Sequence, residues 1–138
     1  MSPRDYPRGV TFPRSPAAAI GIDLVLIVAF AALGRSSHDE GATVGGTAET
    51  AAPFLLGYSA GALATGLHRD PLSIRRAAAA WAVGMTLGLA LRNLAFGRGI
   101  ALSFIIVALL TTAVLLLGWR GGVRAVRALR GGRSSARA

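Results

Sequence analysis

Asp23 stands in the run AAAIGIDLVLIVAFAALG and is the only acidic residue inside any long apolar stretch of the chain. An ionised carboxylate among hydrocarbon side chains is costly, so it must be protonated, hydrated or paired. A carboxylate that takes up and releases protons there would be a proton or cation site. One locked to an arginine would be a fixture of the fold. Both readings are open from sequence. Asp23 lies about six residues from the near end of its run, about 9 Å deep at about 1.5 Å per residue. Arg120, at the end of another apolar run, matches that depth best, and Thr111 and Thr112 supply hydroxyls slightly deeper. Arg92 is expected near the opposite face, either turned into the bundle or snorkelling to headgroups.

A second polar group is Arg35, Ser36, Ser37, His38, Asp39 and Glu40. His38, Asp39 and Glu40 are the right types for a divalent metal or a cationic solute. Three adjacent residues in a flexible loop do not converge as ligands must, so the expectation is solvated loop charge and no metal. No metalloprotease helix, phosphate loop or nucleophile elbow is present, so no enzyme activity and no cofactor are expected. With no cysteine there is no disulfide or thiolate site.

The elements that must carry these residues are four apolar stretches at about 17–34, 51–67, 77–96 and 100–119. Each is about 17–20 residues long, enough to cross a hydrocarbon core of about 30 Å. The composition, 53% hydrophobic and 15% charged, is that of a membrane protein. The fold class is all-α: a polytopic membrane protein with a bundle of four transmembrane helices over 17–120. Residues 1–16, rich in Pro and Arg, read as a disordered cytoplasmic tail, and 121–138 as a basic cytoplasmic tail.

Arginine supplies all fifteen basic residues. With the N-terminus inside, Arg4, Arg8, Arg14, Arg69, Arg75, Arg76, Arg120, Arg124, Arg127, Arg130, Arg133 and Arg137 fall on the cytoplasmic side. Only Arg35, Arg92 and Arg98 fall outside, a division of 12 to 3. Positive charge is retained in the cytoplasm, so both termini are expected there. The same distribution argues against nucleic acid as the partner of a net charge of +9. A cleaved signal peptide is the competing reading of the first stretch. Its long leader with four prolines and the interruption at Asp23 count against it.

Pro53 is expected near the start of the second helix, and Asp70-Pro71 reads as the start of the third. Gly121-Gly122 is expected to break the last helix. Beyond it lies either a short basic helix on anionic lipid or a solvated tail. Trp81 and Trp119 read as interfacial anchors, and Tyr58 as a core or interfacial ring. Gly57 and Gly61 lie four apart in the second stretch, as do Gly84 and Gly88 in the third. In an antiparallel hairpin 57 faces 88 and 61 faces 84, so the two small-residue stripes meet at matched depth. A homodimer seam is the alternative use of one stripe.

The segments AFAALGRSSHDEG, APFLLGYSAGAL, GMTLGLALR and SFIIVALL with LLLGWR resemble a family of small prokaryotic membrane proteins, domain of unknown function 3054. The likeness covers about residues 20–122 and falls on Asp23, Arg35, His38, Pro53, Phe54, Gly57, Arg92, Trp119 and Arg120. It implies an integral protein of the prokaryotic plasma membrane and no activity. Two function classes follow as expectations. One is a small transporter or channel for a proton, cation or small solute, with Asp23 and Arg92 along a polar route. The small multidrug exporters are similar in having four short spans and an acidic residue in the first, though the spacing elsewhere differs. The other is a non-catalytic accessory or assembly subunit of a larger membrane complex. Expected partners are the bilayer, anionic lipids at the basic tail, and a second copy or other membrane proteins.

Overall fold

The computed structural model describes residues 15–36, 43–95, 97 and 101–135. Residues 1–14 of the tail expected at 1–16 and the His38, Asp39 and Glu40 cluster lie outside them, while Pro16 already belongs to the first helix. Four helices follow in order: α1 (Pro16–Ser36), α2 (Val44–Ala64), α3 (Ile74–Leu94) and α4 (Leu102–Ser135). A 3-10 turn at Leu67–Arg69 sits between α2 and α3. Each helix packs on its chain neighbours and α1 closes on α4, while α2 and α4 meet across the ring through side chains, as at Phe54 and Phe104. The result is a ring around one core.

Local chemistry sets the helix ends. The Ser15 hydroxyl accepts from the Ala18 N–H, and Pro16 opens α1 where its missing N–H costs nothing. Thr43 caps α2 by accepting from the Gly46 N–H. α2 ends where Gly66 takes φ +67, the left-handed geometry that glycine adopts without strain. Arg76 Nη1 then donates to the Gly66 carbonyl at 2.9 Å, tying the start of α3 to the end of α2.

Three boundaries differ from the sequence reading. α2 begins at Val44 rather than near 51, which puts Pro53 inside the helix. Proline there removes one rung of the backbone ladder. Packing compensates, because Pro53 and Phe54 are buried on the face toward α3. α3 is capped by Ser73, which accepts from the Arg76 N–H at 3.3 Å, and not by Asp70. Asp70 and Pro71 belong instead to the preceding turn, closed by a Ser73 N–H to Asp70 carbonyl bond. α4 runs unbroken through Gly121 and Gly122. A glycine costs a helix only about 1 kcal/mol, and good helix formers flank the pair. Val123 beyond it is still buried.

α2 and α3 share the most extensive contact of the bundle. A Cβ on Gly61 would lie 2.6 Å from the Ala80 carbonyl oxygen and 2.9 Å from the Gly84 nitrogen. One on Gly57 would run into the Gly84 carbonyl and lie 2.6 Å from the Gly88 nitrogen. Each α2 glycine thus sits between two small residues of α3, about half a turn toward the start of α3 from the simple pairing. Backbones this close gain dispersion contacts that larger side chains would prevent. Beside the seam, Phe30 meets Phe54 edge to face at 6.3 Å between centroids, and Phe104 lies 6.2 Å from Phe54 on the other side.

Helices α1, α3 and the Leu102–Leu129 part of α4 are long and apolar enough to cross a bilayer. α2 matches α1 and α3 in length at 21 residues but falls short in apolar content. Its early start draws Gly45, Gly46, Thr47, Glu49 and Thr50 into the helix. The outer surface of the ring is apolar: Val25, Leu63, Leu110 and Val114 are each about two-thirds exposed.

Candidate functional site

The ring holds its charge inside. α1 presents Asp23 and α4 presents Arg120, and both side chains are fully buried. The pair is bidentate: Nη1 donates to Oδ1 at 2.7 Å and Nη2 to Oδ2 at 2.6 Å. This fork-to-fork geometry is the strongest pairing available to a carboxylate. Trp119 Nε1 also donates to Oδ1 at 2.9 Å, and the Tyr58 hydroxyl to Oδ2 at 2.7 Å. An ionised carboxylate offers about four acceptor positions, and these four donors occupy them.

Arg120 is satisfied in the same way. Its Nε donates to the Pro71 carbonyl at 2.8 Å and its Nη1 also to the Leu116 carbonyl at 2.7 Å. The guanidinium carbon lies 4.5 Å from the centre of the Trp119 ring. Four parts of the chain therefore converge on one charge pair: α1, α2, the turn before α3, and α4. Such a group is suited to holding helices in register. It is poorly suited to exchanging protons or cations, since neither oxygen has acceptor capacity left.

Thr112 does not join this network. It accepts from Trp81 Nε1 at 3.0 Å and donates to the Ala108 carbonyl at 2.6 Å, joining α3 to α4. Thr111 is half-buried beside it. Tyr58 and the Pro71 carbonyl are members of the site that sequence reasoning misses, and Trp119 enters the sequence reading only through the family resemblance. A tyrosine next to a glycine stripe and a tryptophan next to Arg120 are the signals, and by residue type alone both suggest packing or anchoring. The carbonyl of Pro71 leaves no trace in a sequence.

Arg92 and Arg35 lie at the other end, about 18 Å from Asp23 along α1, counting twelve residues at about 1.5 Å each. Both are in the last turns of their helices, where a cation complements the helix dipole. They line a cleft of about 510 Å³ between the helix ends, with Thr50, Ser103, Phe30 and Phe104. The Arg92 guanidinium carbon stands 4.4 Å over the Phe104 ring. Arg92 thus lies against α4. The Arg35 guanidinium lies directly over Gly46, so close that any β-carbon there would collide with it. Among the described residues, no three His, Asp or Glu side chains come together as a metal site would need.

Apolar side chains outside, a sealed ion pair inside and three candidate spans define an all-α protein of the multi-pass membrane type. The chain belongs to the DUF3054 family, described as a protein of unknown function, whose model matches residues 20–123. No match to the chain was found among curated proteins or solved structures.

Proposed function

We propose that this protein is a non-catalytic accessory or assembly subunit of the prokaryotic plasma membrane, in which Asp23 and Arg120 lock a four-span bundle. The carrying observation is the sealed carboxylate, with four donors on its two oxygens and no exposed surface. A transport carboxylate must alternate between water and its partner, and this one is held on all sides. α2 counts as the fourth span because it packs along α3, and an antiparallel partner covers the same depth. The arginine distribution supports both termini inside. In a straight α4, Arg124 and Arg127 follow the ion pair by about 6 and 10 Å, within reach of anionic headgroups.

A place for a partner supports the same reading. A shallow apolar groove of about 530 Å³ runs between α1 and α2, lined by Val25, Val28, Ala29, Ala32 and Ser59 among others. Small residues on a lipid-facing groove admit another helix closely. The competing reading is a small transporter for a proton, cation or small solute. The test is flux in proteoliposomes combined with crosslinking in native membranes. Wild type and Asp23→Asn should show the same background flux of protons and cations. Photo-crosslinkers at Val25 and Val28 should trap one defined membrane polypeptide. A flux abolished by Asp23→Asn in a folded protein would establish the transporter instead.

A further inference from the structure

We propose that the cleft at the end opposite the ion pair binds a phosphate group carried on an apolar stem, with Arg35 and Arg92 as its anion contacts. The C-terminal turns of α1 and α3 bring Arg35 and Arg92, the first turn of α4 brings Ser103, and the second turn of α2 brings Thr50. Helix dipoles of both signs end here and largely offset, so the anion contacts fall to the two guanidiniums. Arg35 lies against the first turn of α2, over Gly46. Arg92 is fixed by stacking on Phe104, which orients a planar guanidinium. A guanidinium carries five N–H donors in one plane, so one engaged by protein contacts still presents an edge to a tetrahedral oxyanion.

Size and polarity point to more than a bare ion. About 510 Å³ exceeds the volume a phosphate fills, and the rest of the lining includes Phe30, Phe104 and Val107. Val107 is more than half exposed, so this wall opens toward the bilayer. Glu49, the described acidic residue at this end, is exposed and does not line the cleft. The same chemistry is offered by a phospholipid headgroup and by a water-soluble organic phosphate.

Native mass spectrometry in mild detergent, with phosphatidylglycerol as probe, tests the lipid source. Thermal shift in phosphatidylcholine nanodiscs, with phenyl phosphate as probe, tests the soluble one. Wild type should retain a specific adduct or show a saturable shift. Arg35→Gln with Arg92→Gln should weaken it by roughly tenfold or more, as loss of charge-assisted hydrogen bonds implies. Ser103→Trp keeps both arginines and fills the cleft, so it should weaken binding while melting like wild type. Arg124→Gln with Arg127→Gln, on the cytoplasmic extension, should leave the site intact. Binding of either probe lost in both cleft variants supports the proposal and names the source. Binding of neither probe, equal binding in all variants, or loss only with Arg124 and Arg127 would overturn it.

Discussion

Tyr58 shows how much a single hydroxyl can matter inside this bundle. Its O–H donates to Asp23 Oδ2 at 2.7 Å from a fully buried side chain. Tyr58→Phe keeps the ring and removes one charge-assisted donor, so it should cost about 1.5–3 kcal/mol. Thermal unfolding in a mild detergent reads this loss, and an unchanged midpoint would mean that the hydroxyl contributes nothing. The depth match between Asp23 and Arg120 follows from counting residues along two apolar runs. The donors that complete the site do not. Tyr58 and Trp119 reach it through the rotation of α2 and α4 about their axes. Arg120 reaches the Pro71 carbonyl because Pro71 lies in the turn before α3 and not in the helix, whose cap is Ser73.

Between elements, the α2–α3 seam sets the geometry of everything else. Gly57 has backbone atoms of Gly84 and Gly88 where a Cβ would go, whereas nothing lies within 4 Å of a Cβ added to Gly118. Gly57→Ala should therefore part the two helices and lower stability by about 1–3 kcal/mol, the usual range for overpacking. Gly118→Ala, in the interior of α4, should be neutral or gain up to about 1 kcal/mol from helix propensity. Equal effects of the two substitutions, measured by thermal unfolding, would contradict the seam. The spacing of the glycines is plain in the sequence, but the bounds of the helix that carries them are not. Gly45, Gly46 and Pro53 are poor helix formers, and burial of the Pro53 and Phe54 face against α3 outweighs that local preference. Gly121 and Gly122 mislead in the same way, because two glycines weaken a long helix without breaking it.

For the whole molecule, the arrangement of charge predicts orientation. Reporter fusions after Ala138 and after Val44 should report opposite sides, the first cytoplasmic, because arginines divide 12 to 3. An exported C-terminal reporter would refute that orientation. The all-helical class and the apolar exterior are legible in composition and in the length of the apolar runs. The closure of the ring is not, because it depends on where the first helix meets the last, with Trp119 and Arg120 on Asp23. That contact is the central claim: Asp23 and Arg120 act as one unit that joins α1 to α4. A double-mutant cycle tests it most directly, by thermal unfolding of Asp23→Leu, Arg120→Met and the double variant in one detergent. Arg120→Met strands a buried carboxylate and should cost about 3–5 kcal/mol. The double variant should be more stable than Arg120→Met alone, because no unpaired charge remains. Two losses that simply add would show that the residues act independently and would contradict the account.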